Sequence, residues 1–344
     1  MRPTRARRAP WGRAAAVLAG VTVAATSLAA CGGSGSDALV LYSAQHQDLA
    51  DSWAEGFTAE TGIEVDIRGG GDFELANQIL AEGDASPADV FITENSPALS
   101  LLSGEGALSP LEQTTLEQVP ADSRSQQGDW VGIAARSTTL VYDPAQVAPD
   151  QLPASILGLA QPQWQGRVAV APGGADFQAI VSAVFETSGD AVGSQWLDGL
   201  ADNAERYQNN IAIMKAVDSG EIAAGVIYSY YWYADQAEGG QDSDSSELHY
   251  FGNQDPGAFV SYSAGGVVAS TERQQDAQRL LAYISGPQGQ EVLSGTDAMQ
   301  YSVGDGVASN PALPTLAELD PPVVDLNALN GPKIIDEMQR VGLI

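Results

Sequence analysis

Short apolar segments alternate with amphipathic ones near the start of the chain, and this alternation restricts the fold more than any other feature. We predict strands at 38–44, 63–68 and 88–93 and helices at 47–62 and 73–83. A β-α-β-α-β order implies a mostly parallel sheet, because each helix crosses one face of the sheet before the next strand begins. The chain is therefore predicted to adopt an α/β fold with helices on both faces.

A second α/β unit follows in the sequence. Its predicted elements are strands at 166–172 and 223–229 and helices at 176–188 and 191–203. The apolar segment 257–270, with a helix at 272–286 behind it, is predicted to return to the first unit. A chain of 344 residues is long enough for two such units.

The N-terminus has the pattern of a signal peptide. Residues 1–30 combine five arginines with an apolar stretch, and the sequence Leu-Ala-Ala before Cys31 resembles the bacterial lipobox. We predict that residues 1–30 are removed and that Cys31 carries lipid, with residues 31–37 as a flexible tether. This places the protein on the extracytoplasmic face of the cell membrane. The alternative is that Cys31 is a small apolar residue at the end of a membrane helix.

Charge and cysteine content exclude several classes of function. The net charge is −29, and removal of the five arginines in residues 1–30 leaves 10 basic and 44 acidic residues, or −34. Nucleic acid is excluded as a partner, because phosphate binding requires a basic surface. Cys31 is the only cysteine, so the rest of the chain has no disulfide, no catalytic thiol and no cysteine metal site.

Catalytic motifs are missing from the sequence. It contains two histidines and neither a G-x-S-x-G nor an H-E-x-x-H motif, so we predict that the protein is not an enzyme. "RGGGDFE" at 68–74 does not complete a dinucleotide fingerprint, and we interpret it as a turn that approaches the cleft. His249 lies in a predicted strand, where a structural role is expected.

Four polar side chains follow predicted strands, at the positions where α/β sheets bind ligands. They are His46, Glu94, Tyr230 and Tyr231. Each also has a structural interpretation: a helix-start residue for His46, a cap for Glu94 and core rings for the tyrosines. At a turn into a helix both phenols can face one point, and the helix N-terminus favours their ionised form. Trp232 is expected to pack, as is Tyr233.

Phenolate ligands limit the choice of metal. Tyrosine ionises near pH ~10, so only a strong Lewis acid displaces its proton at neutral pH. Zinc prefers cysteine or more histidines, and calcium and magnesium prefer carboxylates. One carboxylate and two phenolates carry three negative charges, which match Fe(III), and the imidazole adds a fourth ligand.

At these residues the sequence resembles the bacterial ferric-ion-binding proteins, the iron-uptake branch of the ABC-transporter solute-binding proteins. The resemblance covers nearly all of the mature chain and is most specific in the "QH" at 45–46 and the "YYWY" at 230–233. It implies a two-lobed type 2 periplasmic-binding-protein fold, with lobe 1 at 38–138 plus 260–311 and lobe 2 at 139–259 plus 312–344. It also implies a monomer that delivers Fe(III) to a membrane permease, with His46, Glu94, Tyr230 and Tyr231 as ligands.

The resemblance further implies a synergistic anion beside the metal, carbonate or phosphate. The positions that match its binding residues are Arg136, Gly174, Ala175 and Asn210. Two departures stand out, because Asp176 is acidic where phosphate-binding members have a small residue and Tyr228 replaces a second asparagine. A carboxylate repels phosphate, so we expect carbonate, another small anion or water.

Two other functions remain open from the sequence. The same fold can bind an organic ligand such as thiamine, a polyamine or a phosphonate, in which case the tyrosines stack or donate hydrogen bonds and His46 is incidental. A secreted hydrolase would need a nucleophile, a base and an orienting group, and the sequence contains no recognisable set of these.

Overall fold

The computed structural model describes residues 38–344, which fall within one compact unit. The predicted signal peptide (1–30), the lipidated Cys31 and the tether (31–37) lie outside the described residues. Among residues 38–344, no helix is long and apolar enough to cross a membrane.

Strands and helices alternate through the described chain. The strands are β1 (Leu39–Ser43), β2 (Val65–Gly69), β3 (Val90–Ile92), β4 (Leu108–Ser109), β5 (Trp130–Tyr142), β6 (Val168–Val170), β7 (Ala204–Arg206), β8 (Ala224–Tyr228), β9 (Glu247–His249) and β10 (Val260–Val268). The helices are α1 (Gln47–Thr61), α2 (Asp72–Glu82), α3 (Pro97–Gly104), α4 (Gln113–Leu116), α5 (Ala175–Ser188), α6 (Asp190–Asn203), α7 (Asn210–Asp218), α8 (Ser229–Glu238), α9 (Gln274–Ser285), α10 (Pro287–Gly295), α11 (Leu316–Leu319) and α12 (Gly331–Arg340).

Within residues 38–344 the strands form a ten-stranded sheet in the order β2-β1-β3-β10-β5-β8-β6-β7, with β4 paired to β10 and β9 to β5. Two groups are parallel, β2-β1-β3 on one side and β8-β6-β7 on the other. The strands β10 and β5 between these groups are antiparallel to their neighbours. The predicted α/β class is confirmed, and segment 257–270 returns to the first group because β10 pairs with β3.

The long strand β5 joins the two halves of the sheet. Residues 130–137 pair with β10, whereas residues 138–142 pair with β8. All 13 residues of β5 are buried, although polar residues from Arg136 to Thr139 interrupt its apolar pattern. That interruption explains why the sequence pattern did not reveal the strand. The change of partner, between residues 137 and 138, falls one residue before the predicted lobe boundary at 138/139, and the boundaries themselves stay a prediction.

Candidate metal centre

The predicted ligands follow strands of both parallel groups of the sheet. His46 is the N-cap residue of α1, just beyond β1, and Glu94 lies two residues beyond β3, which is parallel to β1. Tyr230 and Tyr231 occupy the first turn of α8, directly after β8. The sheet therefore supplies one imidazole, one carboxylate and two phenols at the carboxyl ends of its strands, where ligands bind in α/β folds.

The four predicted side chains converge on one point. His46 Nε2 lies 2.8 Å from the hydroxyl oxygen of Tyr230 and 3.3 Å from Oε1 of Glu94. The rings of Tyr230 and Tyr231 have centroids 4.0 Å apart, and the Tyr231 centroid is 6.1 Å from that of His46. Donor atoms about 2.1 Å from a metal and at right angles to one another lie about 3.0 Å apart. The two donor-atom separations, 2.8 and 3.3 Å, match the spacing of neighbouring ligands around one ion, and the ring of Tyr231 lies beside these donors.

Burial holds protons on these donors. It raises the pKa of Glu94 to about 8, with the nearby carboxylate of Asp176 acting in the same direction and Arg136 against it. Burial also raises the pKa of Tyr230 and that of Tyr231 well above the ordinary value for tyrosine. A cation that binds here must displace those protons, which only a strong Lewis acid does at neutral pH.

Partial burial and the charge of Arg136 lower the pKa of His46, so its imidazole is neutral at pH 7 and can donate a lone pair. Among residues 38–344, no group of three or more histidine, cysteine, aspartate and glutamate side chains is arranged to hold a metal. A metal centre at this point therefore depends on the phenol oxygens of Tyr230 and Tyr231.

The carboxylate of Asp176 contacts two of the residues predicted to hold an anion, Arg136 and Asn210. Its Oδ2 accepts hydrogen bonds from Asn210 Nδ2 at 2.6 Å and the Tyr231 hydroxyl at 3.2 Å. Its Oδ1 accepts one from Asn95 Nδ2 at 3.0 Å and lies 3.8 Å from Arg136 Nη1. Asp176 is 6% exposed, so it turns inward and contacts both side chains assigned to the anion, Arg136 and Asn210.

The backbone groups predicted to hold the anion lie at the start of α5. Gly174 is the N-cap residue and Ala175 is the first residue of the helix. The N–H group of Gly174 donates to the carbonyl of Ala171 at 3.0 Å, so a local turn already uses it.

The two departures from the family pattern meet at Asn95, which the sequence analysis did not single out. Asn95 Oδ1 accepts hydrogen bonds from the hydroxyls of Tyr228 at 3.1 Å and Ser261 at 2.6 Å, while its amide nitrogen donates to Asp176. Asn95 follows Glu94 directly, and this adjacency is the signal that could have identified it. Tyr228 and Asp176 are thus linked through one amide.

Arg136 is fully buried behind the ligands. It donates from Nη1 to the carbonyl of Glu94 at 2.9 Å, from Nη2 to Oε1 of Gln45 at 2.7 Å and from Nε to Oε1 of Gln300 at 3.2 Å. Its guanidinium carbon lies 5.2 Å from the centroid of the Tyr230 ring. Although burial disfavours its charge, the nearby carboxylate of Glu94 keeps the pKa of Arg136 above its ordinary value. The site therefore contains a fixed positive charge.

Asp72 also reaches the ligand loop, and the sequence analysis did not identify it. Its two carboxylate oxygens accept the backbone N–H groups of Glu94 at 2.8 Å and Asn95 at 3.0 Å. Burial raises the pKa of Asp72 to about 7, while these two donors and Arg136 act to lower it. The residue belongs to the "RGGGDFE" segment, which contacts the loop that carries Glu94.

The remaining aromatic residues of the cluster pack elsewhere. Trp232 donates from Nε1 to the hydroxyl of Ser246 at 3.2 Å, and the hydroxyl of Tyr233 accepts a hydrogen bond from Tyr250 at 3.4 Å. These contacts agree with the packing role predicted for both residues.

A cleft of about 600 Å³ opens beside the metal-ligand candidates. Its walls include His46, Tyr230 and Tyr231, together with several carboxylates, among them Asp48 and Asp297. A second cleft of about 620 Å³ lies between α1 and β2 and contacts none of the four candidates. The first cleft therefore gives the candidate metal centre its access to solvent.

The chain is similar in sequence to bacterial extracellular and periplasmic binding proteins. A family model for bacterial extracellular solute-binding proteins matches residues 85–325. The Fe(3+)-binding periplasmic protein of Serratia marcescens is 50% identical over 306 residues, 89% of this chain and 90% of that protein. The chain therefore belongs to the bacterial extracellular solute-binding protein family.

Two further comparisons agree with this assignment. The major ferric iron-binding protein of Neisseria meningitidis serogroup B is 34% identical, covering 85% of this chain and 88% of that protein. The crystal structure of iron-bound HitA from Pseudomonas aeruginosa has a TM-score of 0.84 and 39% identity, covering 89% of this chain and 99% of that one.

Proposed function

We propose that this protein captures Fe(III) in the cleft and delivers it to the permease of an ABC importer. The observation that carries the proposal is the convergence of His46, Glu94, Tyr230 and Tyr231, with ligand-like separations of 2.8 and 3.3 Å. Two phenols among four donors favour ferric iron over zinc, calcium or magnesium. The ferric-binding relatives support the same assignment.

The charges of the site balance with iron bound and no added anion. Fe(III) and Arg136 together carry four positive charges, and Glu94, Asp176 and two phenolates carry four negative charges. Asp72 is not included in this count, because the backbone N–H groups of Glu94 and Asn95 hold its carboxylate behind the loop. We infer that Asp176 takes the place of the synergistic anion, which revises the expectation of carbonate. Its Oδ2, 3.2 Å from the Tyr231 hydroxyl, has the spacing of a neighbouring ligand. An additional anion would leave an uncompensated negative charge in a protein whose net charge is already strongly negative.

The two halves of the sheet supply different ligands, which suits a protein that closes around its cargo. His46 and Glu94 follow strands of the β2-β1-β3 group, and Tyr230 and Tyr231 follow β8. We propose that these groups belong to lobes 1 and 2 with the boundaries given above. Iron then bridges the lobes and stabilises the closed form by its differential affinity for that form.

The remaining elements of the proposal concern location and assembly. We infer that the protein works as a monomer without catalytic activity, held at the extracytoplasmic face of the membrane through lipid on Cys31. The lipobox-like sequence before Cys31 and the periplasmic relatives support this location. Names of relatives that refer to iron binding and uptake support a transport role.

A visible spectrum tests the proposal directly. Ferric citrate added to the purified mature chain should produce an absorption band, because tyrosinate bound to Fe(III) absorbs visible light. A receptor for thiamine, a polyamine or a phosphonate would stay colourless, and the convergence of a histidine and a carboxylate on the phenols does not favour that alternative. A spectrum unchanged by ferric citrate would contradict the iron assignment.

A further inference from the structure

A glycine-rich turn delivers a buried carboxylate to the back of the ligand loop. After β2 the chain passes through Gly70, where a Cβ atom would lie 2.9 Å from the side chain of Leu75, and enters α2 at Asp72. The tight turn brings the start of α2 against the loop that follows β3. Asp72 is 4% exposed, and its carboxylate meets the backbone N–H groups of Glu94 and Asn95.

The backbone of Glu94 is held from both sides. Asp72 accepts its N–H at 2.8 Å, whereas its carbonyl accepts hydrogen bonds from Arg136 Nη1 at 2.9 Å and the hydroxyl of Ser263 at 3.0 Å. Glu94 lies beyond the last residue of β3, so the strand ladder does not fix it. These contacts therefore fix the position of the Glu94 backbone, and with it the point from which the side chain extends toward the cleft.

A carboxylate is well suited to this position. Two adjacent backbone donors, on Glu94 and Asn95, point at it, and its two oxygens accept one each. An asparagine has one oxygen and would turn its NH₂ group toward the second donor. Side chains that orient a metal ligand without contacting the metal commonly change metal affinity about 10- to 100-fold when they are replaced.

We propose that Asp72 is a positioning residue that sets the placement of Glu94 for Fe(III) binding. The proposal rests on the proposed function, since it requires Glu94 to be an iron ligand. Asp72 itself is not assigned as a ligand, and each of its oxygens accepts a backbone N–H group of the loop. It acts from behind the loop, through the peptide groups on either side of the Glu94 α-carbon.

The principal test is Asp72→Asn in the mature chain, with Fe(III) added as ferric citrate. We expect iron affinity, measured by competition with citrate, to fall about 10- to 100-fold. The tyrosinate band should also move to longer wavelength, because weaker carboxylate donation makes the iron a stronger electron acceptor. If Asp72→Asn does not fold, Asp72→Ser carries the same expectation, since serine is accepted at helix starts and keeps one acceptor.

Asp89→Asn is the matched control. Asp89 is 6% exposed and accepts the backbone N–H of Val40 at 2.8 Å and the hydroxyl of Thr271, just before β3. It perturbs the opposite end of the same strand and contacts no ligand. We expect both variants to lose stability in urea unfolding. Only Asp72→Asn should shift the tyrosinate band of the iron-bound protein.

A double-mutant cycle with Glu94→Gln separates positioning from general destabilisation. If Asp72 acts through Glu94, Asp72→Asn should weaken iron binding far less in the Glu94→Gln background than in the wild type. Equal effects in both backgrounds, or a normal spectrum and affinity in Asp72→Asn, would overturn the proposal while Glu94 remained a ligand. Unchanged iron binding in Glu94→Gln would instead reject the ligand assignment, and the role of Asp72 with it.

Discussion

Asn210 donates a 2.6 Å hydrogen bond to Asp176, the carboxylate that also lies 3.8 Å from Arg136. The family resemblance assigns Asn210 and Arg136 to an external anion, and both are engaged here by a side chain of the protein itself. A covalently attached carboxylate needs no capture from solution, so its local concentration is independent of the medium. The site is therefore expected to bind iron without an anion taken up from solution.

Iron binding by the wild-type protein should not depend on added bicarbonate or phosphate. Titrations with Fe(III) in buffers stripped of both anions, then restored one at a time, should give the same affinity within a few-fold. The physical reason is that Asp176 already balances the charge of Arg136. A clear increase of affinity with either anion would show that an external anion is still bound.

Asp176→Ala should create a dependence on anions. The variant removes the internal carboxylate and leaves Arg136 and Asn210 without it, so a small anion can take its place. We expect iron affinity to fall at least 10-fold in stripped buffer, as for other groups that tune a metal site, and to recover in part with bicarbonate. Equal affinity with and without bicarbonate in this variant would contradict the assignment.

Replacement of either ligand tyrosine should weaken iron binding while the fold is kept. Tyr230→Phe and Tyr231→Phe preserve the ring and its packing but remove one phenolate. The loss of iron affinity should therefore exceed the roughly 10- to 100-fold effect of replacing a residue that only orients a metal ligand. The visible band should weaken or shift. Tyr233→Phe is the control, and identical behaviour of all three variants would show that the cluster serves only the core.

Removal of the buried guanidinium should destabilise the protein. Arg136→Met leaves carboxylates without their partner, and breaking a buried ion pair from one side costs about 3–5 kcal/mol of unfolding free energy. Adding Asp176→Asn should recover part of this loss, as measured by urea unfolding. The exposed pair of Arg279 and Asp276 provides the control, because Arg279→Met should change the unfolding free energy by less than about 1 kcal/mol. A small effect of Arg136→Met would contradict a buried charge network.

Cys31→Ser should release the protein from the membrane fraction into the medium, because the residue that would carry lipid is lost. Fractionation followed by detection of the protein provides the measurement. Retention of the variant in the membrane would indicate an uncleaved apolar segment instead of a lipid anchor.

The local sequence was sufficient to predict much of the fold and the four ligand candidates. Apolar spacing identified β1, α1, α2 and β8 within a few residues, because side-chain periodicity reflects the burial of one element at a time. Parallel strands share one edge for their carboxyl ends, so residues after β1 and β3 had to lie near each other. The sequence thereby determined which residue types reach the cleft and, through their phenols, the kind of cation that suits it.

The tertiary structure decided how those residues meet groups from distant parts of the chain. The inward turn of Asp176, its contacts with Asn95 and Asn210, and the support of Glu94 by Asp72 join segments separated by 22 to 81 residues. No local pattern encodes such contacts, since they depend on how the halves of the sheet come together along β5. Burial makes these long-range contacts essential, because a carboxylate removed from water needs hydrogen-bond donors and an opposite charge nearby.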